Sequence, residues 1–372
     1  MNTKTRVALL YGGKSGEHEV SLKSAASVLR HLDRARFEPV PISIDKQGRW
    51  QLQDPRRLAE SNSESLPIFA DAQEIRLATD AQGALAAAPI AANGEAAAID
   101  VVFPVIHGPL CEDGAMQGLL ELAGAAYVGS AVMASAIGMH KDIAKRLAGL
   151  AGLPIAPYLV ASRRDYRRDP TAVAAAAKAA LALPVFVKPC NMGSSVGVHK
   201  VKSWEELGAA LDDAFAYDTK VLIEQGVDAR EIEVAVLDGD PPFASLASEL
   251  NAGPQHEFYS YEAKYLDADG ATVDLPAKLE PAQMSRLQEL AITAFTALEC
   301  SGFARVDFFL DRVSGEFYFN EINTLPGFTA ISMYPKMMEA SGTPYPALIT
   351  RLIELALERH AERAGLKTDY AG

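Results

Sequence analysis

The sequence predicts an α/β fold divided into several domains. Its 372 residues exceed what one typical hydrophobic core accommodates and suit two or three domains. Near the N-terminus, strand-like residues 7–10, a helical stretch at 20–29 and strand-like residues 38–44 follow one another, and this β-α-β order is typical of an open parallel sheet. Near the C-terminus, strand-like residues 303–309 and 317–323 are separated by a short polar turn. We therefore expect a parallel sheet early in the chain and a β-hairpin near its end.

Composition and charge exclude several classes of protein. Hydrophobic residues make up 49% and charged residues 22% of the chain, which is ordinary for a globular protein. The formal charge of -13 repels a phosphate backbone, so we expect no binding to nucleic acid. Cys111, Cys190 and Cys300 are widely separated and match neither a disulfide framework nor a zinc site. Because the sequence shows no secretion signal and no apolar run long enough for a bilayer, we expect a soluble cytoplasmic protein without a membrane partner.

The order of predicted elements divides the chain into three units. We expect an N-terminal α/β unit at 1–130, a central unit at 131–227 and a C-terminal unit at 228–372. In the first unit, strand-like residues 99–106 end at His107, and the carboxyl ends of parallel strands are where open sheets bind ligands. Residues 52–98 of the same unit carry no motif that we can interpret.

The second and third units also mix helices with strands. In the second unit we predict helices at 141–148 and 172–182, strands at 184–188 and 220–224, and a polar hinge at 225–228. In the third we predict a strand at 231–237, a polar loop at 251–269, a helix at 281–298, the hairpin, and a final helix at 346–362. The Leu and Ile spacing of the final helix is typical of a helix that packs against a core.

The hairpin carries a candidate metal site. A turn centred on Ser314 would place Phe309 opposite Phe319, Asp307 opposite Glu321 and Arg305 opposite Asn323. Facing carboxylates repel each other unless a positive charge lies between them. Mg²⁺ prefers oxygen ligands and is often held by one or two carboxylates together with substrate phosphates. Asp307, Glu321 and the amide oxygen of Asn323 suit this role, although a surface hairpin with ordinary solvated charges explains the hairpin alone equally well.

Two glycine-rich loops are candidates for anion binding. The first loop, at 12–15, resembles the end of a P-loop, but Ala8 stands where that motif needs its first glycine, so we exclude a P-loop NTPase. Glu17, at the start of the following helix, could hold a substrate ammonium group or could simply complement the helix dipole. The second loop, at 193–197, lies between predicted strands and follows Lys188. Such a loop can close over phosphate oxygens, and the lysine supplies a positive charge for them.

Motifs along the whole chain resemble those of the D-alanine–D-alanine ligases, which are ATP-grasp enzymes of cell-wall synthesis. They are GEHEVS at 16–21, HGPLCEDG at 107–114, KP and GSSVG within 188–197, YEAKY at 261–265, RVD at 305–307 and NEINTLPG at 320–327. Each motif alone is weak, but the set in this order is highly specific. The resemblance implies a three-domain ATP-grasp architecture in which ATP lies between the central and C-terminal domains, and a substrate-binding role for the N-terminal domain.

The resemblance also implies roles for individual residues. In the ATP site it implies that Lys141, Lys188 and Lys264 contact the phosphates and that Ser194 and Ser195 belong to the loop that covers them. It also implies that Glu224 contacts the adenine and Glu231 the ribose. For the substrates it implies Glu17 on the first ammonium group, Ser332 and the Met333 N–H on the second carboxylate, and Val20 and His107 in the pocket wall. Arg305 and the Gly327 N–H resemble an oxyanion hole, Ser194 and Tyr265 resemble hydrogen-bond partners of Glu17, and Asp307, Glu321 and Asn323 resemble the ligands of Mg²⁺.

The implied reaction joins two D-alanine molecules at the expense of ATP, for peptidoglycan synthesis. ATP phosphorylates the carboxylate of one D-alanine, and the amine of the second attacks the resulting acyl phosphate. The resemblance further implies two Mg²⁺ ions, which Mn²⁺ can replace, and a homodimer. Cys111 departs from the family pattern, where glycine is common, and would strain the loop if that position required a positive φ.

Other functions remain open on the sequence. A depsipeptide ligase that joins D-alanine to D-lactate is the nearest alternative, although ligases that make the ester resemble this pattern with Phe in place of Tyr265. Another ATP-grasp carboxylate–amine ligase is also compatible with the motifs. A non-catalytic ATP-binding regulator should lack the metal ligands or Arg305, and this chain has both. A dehydrogenase is disfavoured because the dinucleotide-binding glycine motif is absent.

Overall fold

The computed structural model describes residues 4–61, 63–79, 85–90, 96–253 and 271–367. Within these ranges the chain mixes helices with strands and forms three β-sheets, of seven, four and five strands. The predicted α/β class is therefore confirmed. No helix in the described ranges combines the length and the apolar character that crossing a bilayer requires.

The first sheet contains the predicted β-α-β unit. Its strands are β1 (Thr5–Gly12), β2 (Phe37–Ile44), β3 (Trp50–Leu52), β4 (Gln73–Thr79), β5 (Leu85–Pro89), β6 (Ala97–Ala98) and β7 (Val101–Ile106), and the helices α1 (His18–His31), α2 (Pro55–Ser61) and α3 (Ala115–Leu122) accompany them. β1 lies between β2 and β7 and is parallel to both, which confirms the predicted parallel arrangement. β3 to β6 extend the sheet as antiparallel strands. The segment without a motif thus forms most of one side of this mixed sheet.

The second sheet is antiparallel, with strand order β10-β9-β11-β8. Its strands are β8 (Tyr158–Ser162), β9 (Val185–Pro189), β10 (His199–Val201) and β11 (Lys220–Gln225), with helices α6 (Arg163–Arg168), α7 (Pro170–Ala180) and α8 (Leu207–Tyr217). Helices α4 (Val132–Met139) and α5 (Lys141–Leu150) precede it in the chain. The glycine-rich loop at 193–197 joins β9 to β10, so its predicted position between two strands is confirmed.

The third sheet carries polar side chains on one face and apolar side chains on the other. Its order is β14-β13-β12-β15-β16. The strands are β12 (Ala229–Leu237), β13 (Phe243–Ala252), β14 (Ala271–Asp274), β15 (Phe303–Asp311) and β16 (Phe317–Asn323), and the helices are α9 (Pro281–Ala297), α10 (Met333–Ala340) and α11 (Tyr345–Ala364). Along β15, Val306, Phe308 and Leu310 are buried in a cluster with α9, whereas Arg305 and Asp307 alternate with them. Because side chains alternate along a strand, the two charged residues share the opposite face.

The register of the hairpin differs from the prediction at one place. Asp307 pairs with Glu321 and Arg305 pairs with Asn323, as predicted. The predicted pairing of Phe309 with Phe319 is wrong, because a shift between Asp307 and Phe308 pairs Phe319 with Phe308 and Tyr318 with Phe309. An irregularity of this kind breaks the strict pairing of the ladder, and β-bulges are common beside functional sites.

The final helix joins the C-terminal part of the chain to the first sheet. Leu348, Ile349, Leu352 and Ile353 of α11 are fully buried, and they belong to the same apolar cluster as residues of α1 and β1. The predicted packing role of this helix is confirmed. Ala235 and Phe303 of the third sheet belong to the same cluster, so this helix packs with residues of both the first and the third sheet.

Candidate active site

A cavity of about 1150 Å³ is lined by residues from all three units. Its wall includes every predicted site residue within the described ranges: Glu17, Val20, His107, Lys141, Lys188, Ser194, Ser195, Glu224, Glu231, Arg305, Asp307, Glu321, Asn323, Gly327, Ser332 and Met333. The predicted Lys264 and Tyr265 lie outside the described residues. Side chains that are up to about three hundred positions apart in the sequence therefore line one cavity.

A row of three carboxylates crosses the third sheet at the cavity. Glu233 of β12 pairs with Asp307 of β15, and Asp307 pairs with Glu321 of β16. All three residues line the cavity. Directly opposed like charges in a sheet destabilise it unless cations compensate them. The row therefore needs positive charge, which the neighbouring side chains supply in part.

Arg305 is the cation nearest to this row. Its Nε lies 2.7 Å from Asp307 Oδ1 and its terminal nitrogen lies 2.7 Å from Oδ2, which is the fork geometry of a bidentate pair. The same Nε lies 3.2 Å from Glu233 Oε1. Burial acts to lower the pKa of Arg305, but Asp307 and Glu233 outweigh it and raise that pKa. Burial also raises the pKa of Asp307 to about 7, against the opposing effect of Arg305.

The oxygen atoms around Asp307 suit a hard divalent cation. Among the described residues no group of three or more His, Cys, Asp or Glu side chains is arranged to hold a metal ion by itself. Asp307 and Glu321 instead offer two facing carboxylates, and Asn323, which accepts a hydrogen bond from the Leu325 N–H at 2.9 Å, adds an amide oxygen. Lys141 Nζ lies 3.1 Å from Glu321 Oε2. This donor set fits Mg²⁺ that takes its remaining ligands from phosphates and water.

A buried carboxylate between two lysines forms another part of the cavity wall. Glu224 of β11 is 2% exposed, and its Oε1 and Oε2 lie 2.5 Å from Lys145 Nζ and Lys188 Nζ respectively. Lys188 Nζ also lies 3.4 Å from Asn320 Oδ1. Burial acts to raise the pKa of Glu224, but the two lysines outweigh it and lower that pKa. Burial also lowers the pKa of Lys145. Lys145, Lys188 and Glu224 together carry two positive charges and one negative charge, which leaves a net positive charge beside the cavity.

The glycine-rich loop of the second unit contacts the first helix of the chain. Ser194 Oγ donates a hydrogen bond to Glu17 Oε1, which is the contact that the resemblance implied. Ser194 and Ser195 have φ values of 53° and 58°, a left-handed conformation that costs energy outside glycine. Lys141 Nζ donates to the Met192 carbonyl at 2.8 Å and so holds the start of this loop. The loop therefore spans the cavity from α5 to α1.

His107 is buried and forms a pair with the partly buried Glu112. Its Nδ1 lies 3.4 Å from Glu112 Oε1 and its Nε2 lies 3.2 Å from Ser24 Oγ. Burial acts to lower the pKa of His107, but Glu112 outweighs it and raises that pKa. Gly108 has φ +84°, and a side chain there would approach Glu17 Oε2 to 3.1 Å, so this close contact requires glycine.

The condition under which Cys111 would strain its loop, a positive φ at that position, is not met. The positive φ of 68° belongs to Leu110, whereas Cys111 is buried and is not among the residues with positive φ. Its thiol faces Gly13, where an added Cβ would lie 3.6 Å from Sγ. The cysteine thus fits by packing against the loop at 12–13.

The other end of the cavity presents backbone donors. Met333 is the first residue of α10, and the first N–H groups of a helix lack partners within the helix and attract anions. Ser332 Oγ lies 2.9 Å from the Thr329 N–H, and a Cβ on Gly327 would approach it to 2.9 Å. The glycine therefore lets Ser332 lie close to the backbone at 327, where both residues face the cavity.

The sequence interpretation missed Lys145, Glu233 and Glu112. Lys145 lies one helical turn after Lys141 on α5, so i,i+4 spacing could have indicated a shared face. Glu233 lies two positions after Glu231 on β12, so strand alternation could have placed both on the cavity side. Glu112 was visible in the motif at 107–114, but nothing in the sequence indicated that it pairs with His107.

The fold and the arrangement of this cavity define an ATP-grasp ligase, and comparison with known proteins gives its family. Family models described as "D-ala D-ala ligase N-terminus" and "D-ala D-ala ligase C-terminus" match residues 6–130 and 147–354. The chain belongs to the D-alanine–D-alanine ligase family.

Individual relatives cover almost the full length of the chain. It is 66% identical over 372 residues to "D-alanine--D-alanine ligase A" of Bradyrhizobium diazoefficiens, with 100% of both chains covered. The solved structure of the D-alanine-D-alanine ligase from Coxiella burnetii has a TM-score of 0.81 at 36% identity and covers 97% of this chain and 96% of that one. The VanG D-Ala:D-Ser ligase from Enterococcus faecalis has a TM-score of 0.82 at 33% identity and covers 95% of this chain and 100% of that one.

Proposed function

We propose that this protein catalyses the ATP-dependent ligation of two D-alanine molecules to D-alanyl-D-alanine, releasing ADP and phosphate, for peptidoglycan synthesis. The observation that carries the proposal is that one cavity holds Lys141 and Lys188, the facing carboxylates Asp307 and Glu321, and Arg305. Phosphoryl transfer is catalysed mainly by positioning and by neutralising charge on the transferred group. A cavity with these groups suits a nucleotide triphosphate next to a small carboxylate substrate.

The ATP site lies between the second and third sheets in this proposal. Lys141, Lys188 and Lys264 contact the phosphates, and the backbone of the Ser194–Ser195 loop covers them. Support comes from the left-handed turn at these serines, because successive N–H groups in such a turn can form a concave site for anions. Glu224 and Glu231 contact the adenine and the ribose.

The proposed metal ligands are Asp307, Glu321 and Asn323. A bound Mg²⁺ would neutralise the phosphate oxygens and so assist transfer to the substrate carboxylate. We propose two ions, with Mn²⁺ as a substitute. Support comes from the facing pair of carboxylates and from Arg305 and Lys141, which are the cations that contact this pair in the described residues.

The two D-alanine molecules lie toward the first sheet. Glu17 holds the ammonium group of the first, beside Val20 and His107, and Arg305 with the Gly327 N–H stabilises the oxyanion of the tetrahedral state. Ser332 and the Met333 N–H hold the carboxylate of the second. Support for this orientation comes from the helix start at Met333, which favours an anion, and from the carboxylate of Glu17, which favours a cation.

The reaction then has two steps. The γ-phosphoryl group of ATP passes to the carboxylate of the first D-alanine, which forms an acyl phosphate and ADP. The free amine of the second D-alanine attacks the acyl carbon, phosphate leaves, and the amine loses a proton. Holding both substrates in one cavity makes the attack effectively intramolecular. Closure of the loop at 193–197 excludes water that would hydrolyse the acyl phosphate, and Tyr265 together with Ser194 is proposed as a hydrogen-bond partner of Glu17.

We further propose that the chain works in the cytoplasm as a homodimer with three domains, at 1–130, 131–227 and 228–372. The limits of the two matched family segments, 6–130 and 147–354, support the first boundary.

Product analysis tests the proposed function. The protein is incubated with Mg·ATP in three separate reactions that contain D-alanine alone, D-alanine plus D-lactate, or D-alanine plus D-serine. The products are identified by mass spectrometry, and the released ADP is measured in each reaction. We expect D-alanyl-D-alanine and D-alanine-dependent ADP release. Preferred ester formation with D-lactate would instead identify a depsipeptide ligase, and absence of ADP release at saturating D-alanine would refute a ligase that uses this substrate.

A D-Ala:D-Ser product is the second candidate, because a ligase of that specificity is among the similar structures. The 66% identical relative named as a D-alanine–D-alanine ligase favours the dipeptide of D-alanine. The same incubation with D-serine separates the two, since the products differ in mass by one oxygen atom.

A further inference from the structure

Lys145 occupies a position that the proposed ATP site does not explain. Its side chain is 1% exposed, and it does not line the cavity. Its Nζ lies 2.5 Å from Glu224 Oε1 and donates to the Phe319 carbonyl at 3.1 Å. A lysine is rarely buried to this extent unless it has a charged partner. It cannot contact a nucleotide in the cavity and can act only through its neighbours.

Glu224 connects Lys145 to the cavity. Its second oxygen lies 2.5 Å from the ammonium of Lys188, which does line the cavity. The three side chains form a line of two ion pairs in which Lys145 lies behind the cavity wall, whereas Glu224 and Lys188 both line the cavity. Glu224 stands on β11, Lys188 on β9 and Lys145 on α5. The line therefore joins three elements and ends at a lysine that faces the proposed phosphate site.

Charge balance shows what each member contributes. Without Lys145, Glu224 and Lys188 would form a neutral pair, and the attraction of Lys188 for an anion would be largely cancelled. With Lys145, one carboxylate is shared by two ammonium groups, and the group has a net charge of about +1. Buried charges interact strongly because little water screens them. The interior lysine thus changes the field at the cavity although it does not reach it.

We propose that Lys145 is a positioning residue for ATP. By compensating Glu224, it leaves Lys188 with uncompensated positive charge and holds its ammonium at the cavity wall. The proposal rests on the proposed function, because it takes ATP as the ligand of this cavity. Under this proposal Lys145 contributes to ATP binding although it does not contact the nucleotide.

Substitution of Lys145 by methionine tests the proposal, since methionine fills similar space without charge. We expect Lys145→Met to raise the KM for ATP and the Kd for Mg·ADP roughly tenfold, while the KM for D-alanine changes less than about twofold. Calorimetry gives the Kd independently of turnover. Lys178→Met, on the exposed face of α7, is the control and should change neither constant. Unchanged nucleotide constants in folded Lys145→Met would overturn the proposal.

A second comparison covers the case in which Lys145→Met does not fold. Lys145→Met/Glu224→Gln leaves no unpaired buried charge and keeps Lys188 as the cation of the group, so its net charge is about +1, whereas that of Glu224→Gln alone is about +2. We therefore expect the double variant to bind Mg·ADP roughly tenfold more weakly than Glu224→Gln. Equal Kd values in these two variants would show that Lys145 adds no charge to the nucleotide site and would overturn the proposal. Failure of the wild-type protein to bind Mg·ADP would refute the proposed function itself, and the two failures are thereby distinguished.

Discussion

Glu233 and Asp307 lie directly opposite each other on the neighbouring antiparallel strands β12 and β15. Arg305 contacts both carboxylates, through a bidentate pair with Asp307 and at 3.2 Å from Glu233. If Asp307 binds a metal ion, its carboxylate interacts with that ion and therefore interacts less strongly with Arg305. Glu233, which is 5% exposed, then becomes the remaining carboxylate that can orient the guanidinium.

Glu233→Gln should therefore lower turnover without unfolding the protein. The amide keeps the shape of the side chain but removes the charge that fixes Arg305, so we expect kcat at saturating ATP and D-alanine to fall roughly 10- to 100-fold. Glu249→Gln is a matched control, because Glu249 is a buried carboxylate of the same sheet whose partner, Arg230, lies outside the cavity. It should lower the thermal midpoint and leave kcat nearly unchanged. Equal kcat in both variants would contradict the role of Glu233.

Asp307→Asn should abolish most D-alanine-dependent ADP release. The substitution leaves the fold of the hairpin intact but removes one of two facing carboxylates that suit Mg²⁺, and we expect a loss of more than about 100-fold. Asp311→Asn on the same strand is the control, since Asp311 accepts turn N–H groups of Val313 and Ser314 away from the cavity. A coupled assay for ADP measures both. ADP release at the wild-type rate in Asp307→Asn would show that the metal site lies elsewhere.

The parts of the fold that follow local rules could be predicted from the sequence. The alternation of apolar and charged residues at 303–309 predicted both the strand and the shared face of Arg305 and Asp307, because side-chain direction in a strand has a period of two. The pairing of Asp307 with Glu321 followed from the turn length. The register error beyond Asp307 arose because nothing in the local sequence marks the irregularity. The antiparallel strands β3 to β6 were missed because β3 has only three residues, β5 and β6 consist mostly of alanine, and β4 alternates clearly only around Ile75 and Leu77.

The candidate site could be predicted where its residues occur in motifs, and it was missed where partners meet only in three dimensions. Lys188 and Ser194 lie in recognisable segments, and they line the cavity. Lys145 and Glu224 are 79 positions apart, and the 2.5 Å contact depends on how α5 packs against β11. Tertiary packing of this kind leaves no local pattern. For the same reason the sequence did not reveal that both oxygens of Glu224 are held by lysines.

Substitutions at Ser194 should separate its hydroxyl from its unusual backbone. Ser194→Ala removes the hydrogen bond to Glu17 and keeps the strain of φ 53°, whereas Ser194→Gly removes the same bond and relieves the strain. Because the bond involves a carboxylate, we expect kcat/KM for D-alanine to fall roughly 10- to 100-fold in both variants. Steady-state kinetics at saturating ATP measures this. Wild-type kcat/KM in Ser194→Gly would show that the hydroxyl and its hydrogen bond to Glu17 are not required.

Asp142 should make the stability of the protein depend on pH. Its oxygens lie 2.9 Å and 2.6 Å from Arg146, and it also pairs with Lys220 of β11, so it ties α5 to the second sheet. Burial acts to raise the pKa of Asp142, but Arg146 and Lys220 outweigh it and lower that pKa. Its stabilising contribution is therefore complete above the ordinary value of 3.8 and is lost as the pH falls through the lower value of the folded state. Asp142→Asn should lower the urea midpoint at pH 7, and the difference from wild type should shrink as the pH falls below the ordinary pKa of 3.8. A difference that stays constant as the pH falls would show that the carboxylate charge of Asp142 does not stabilise the fold.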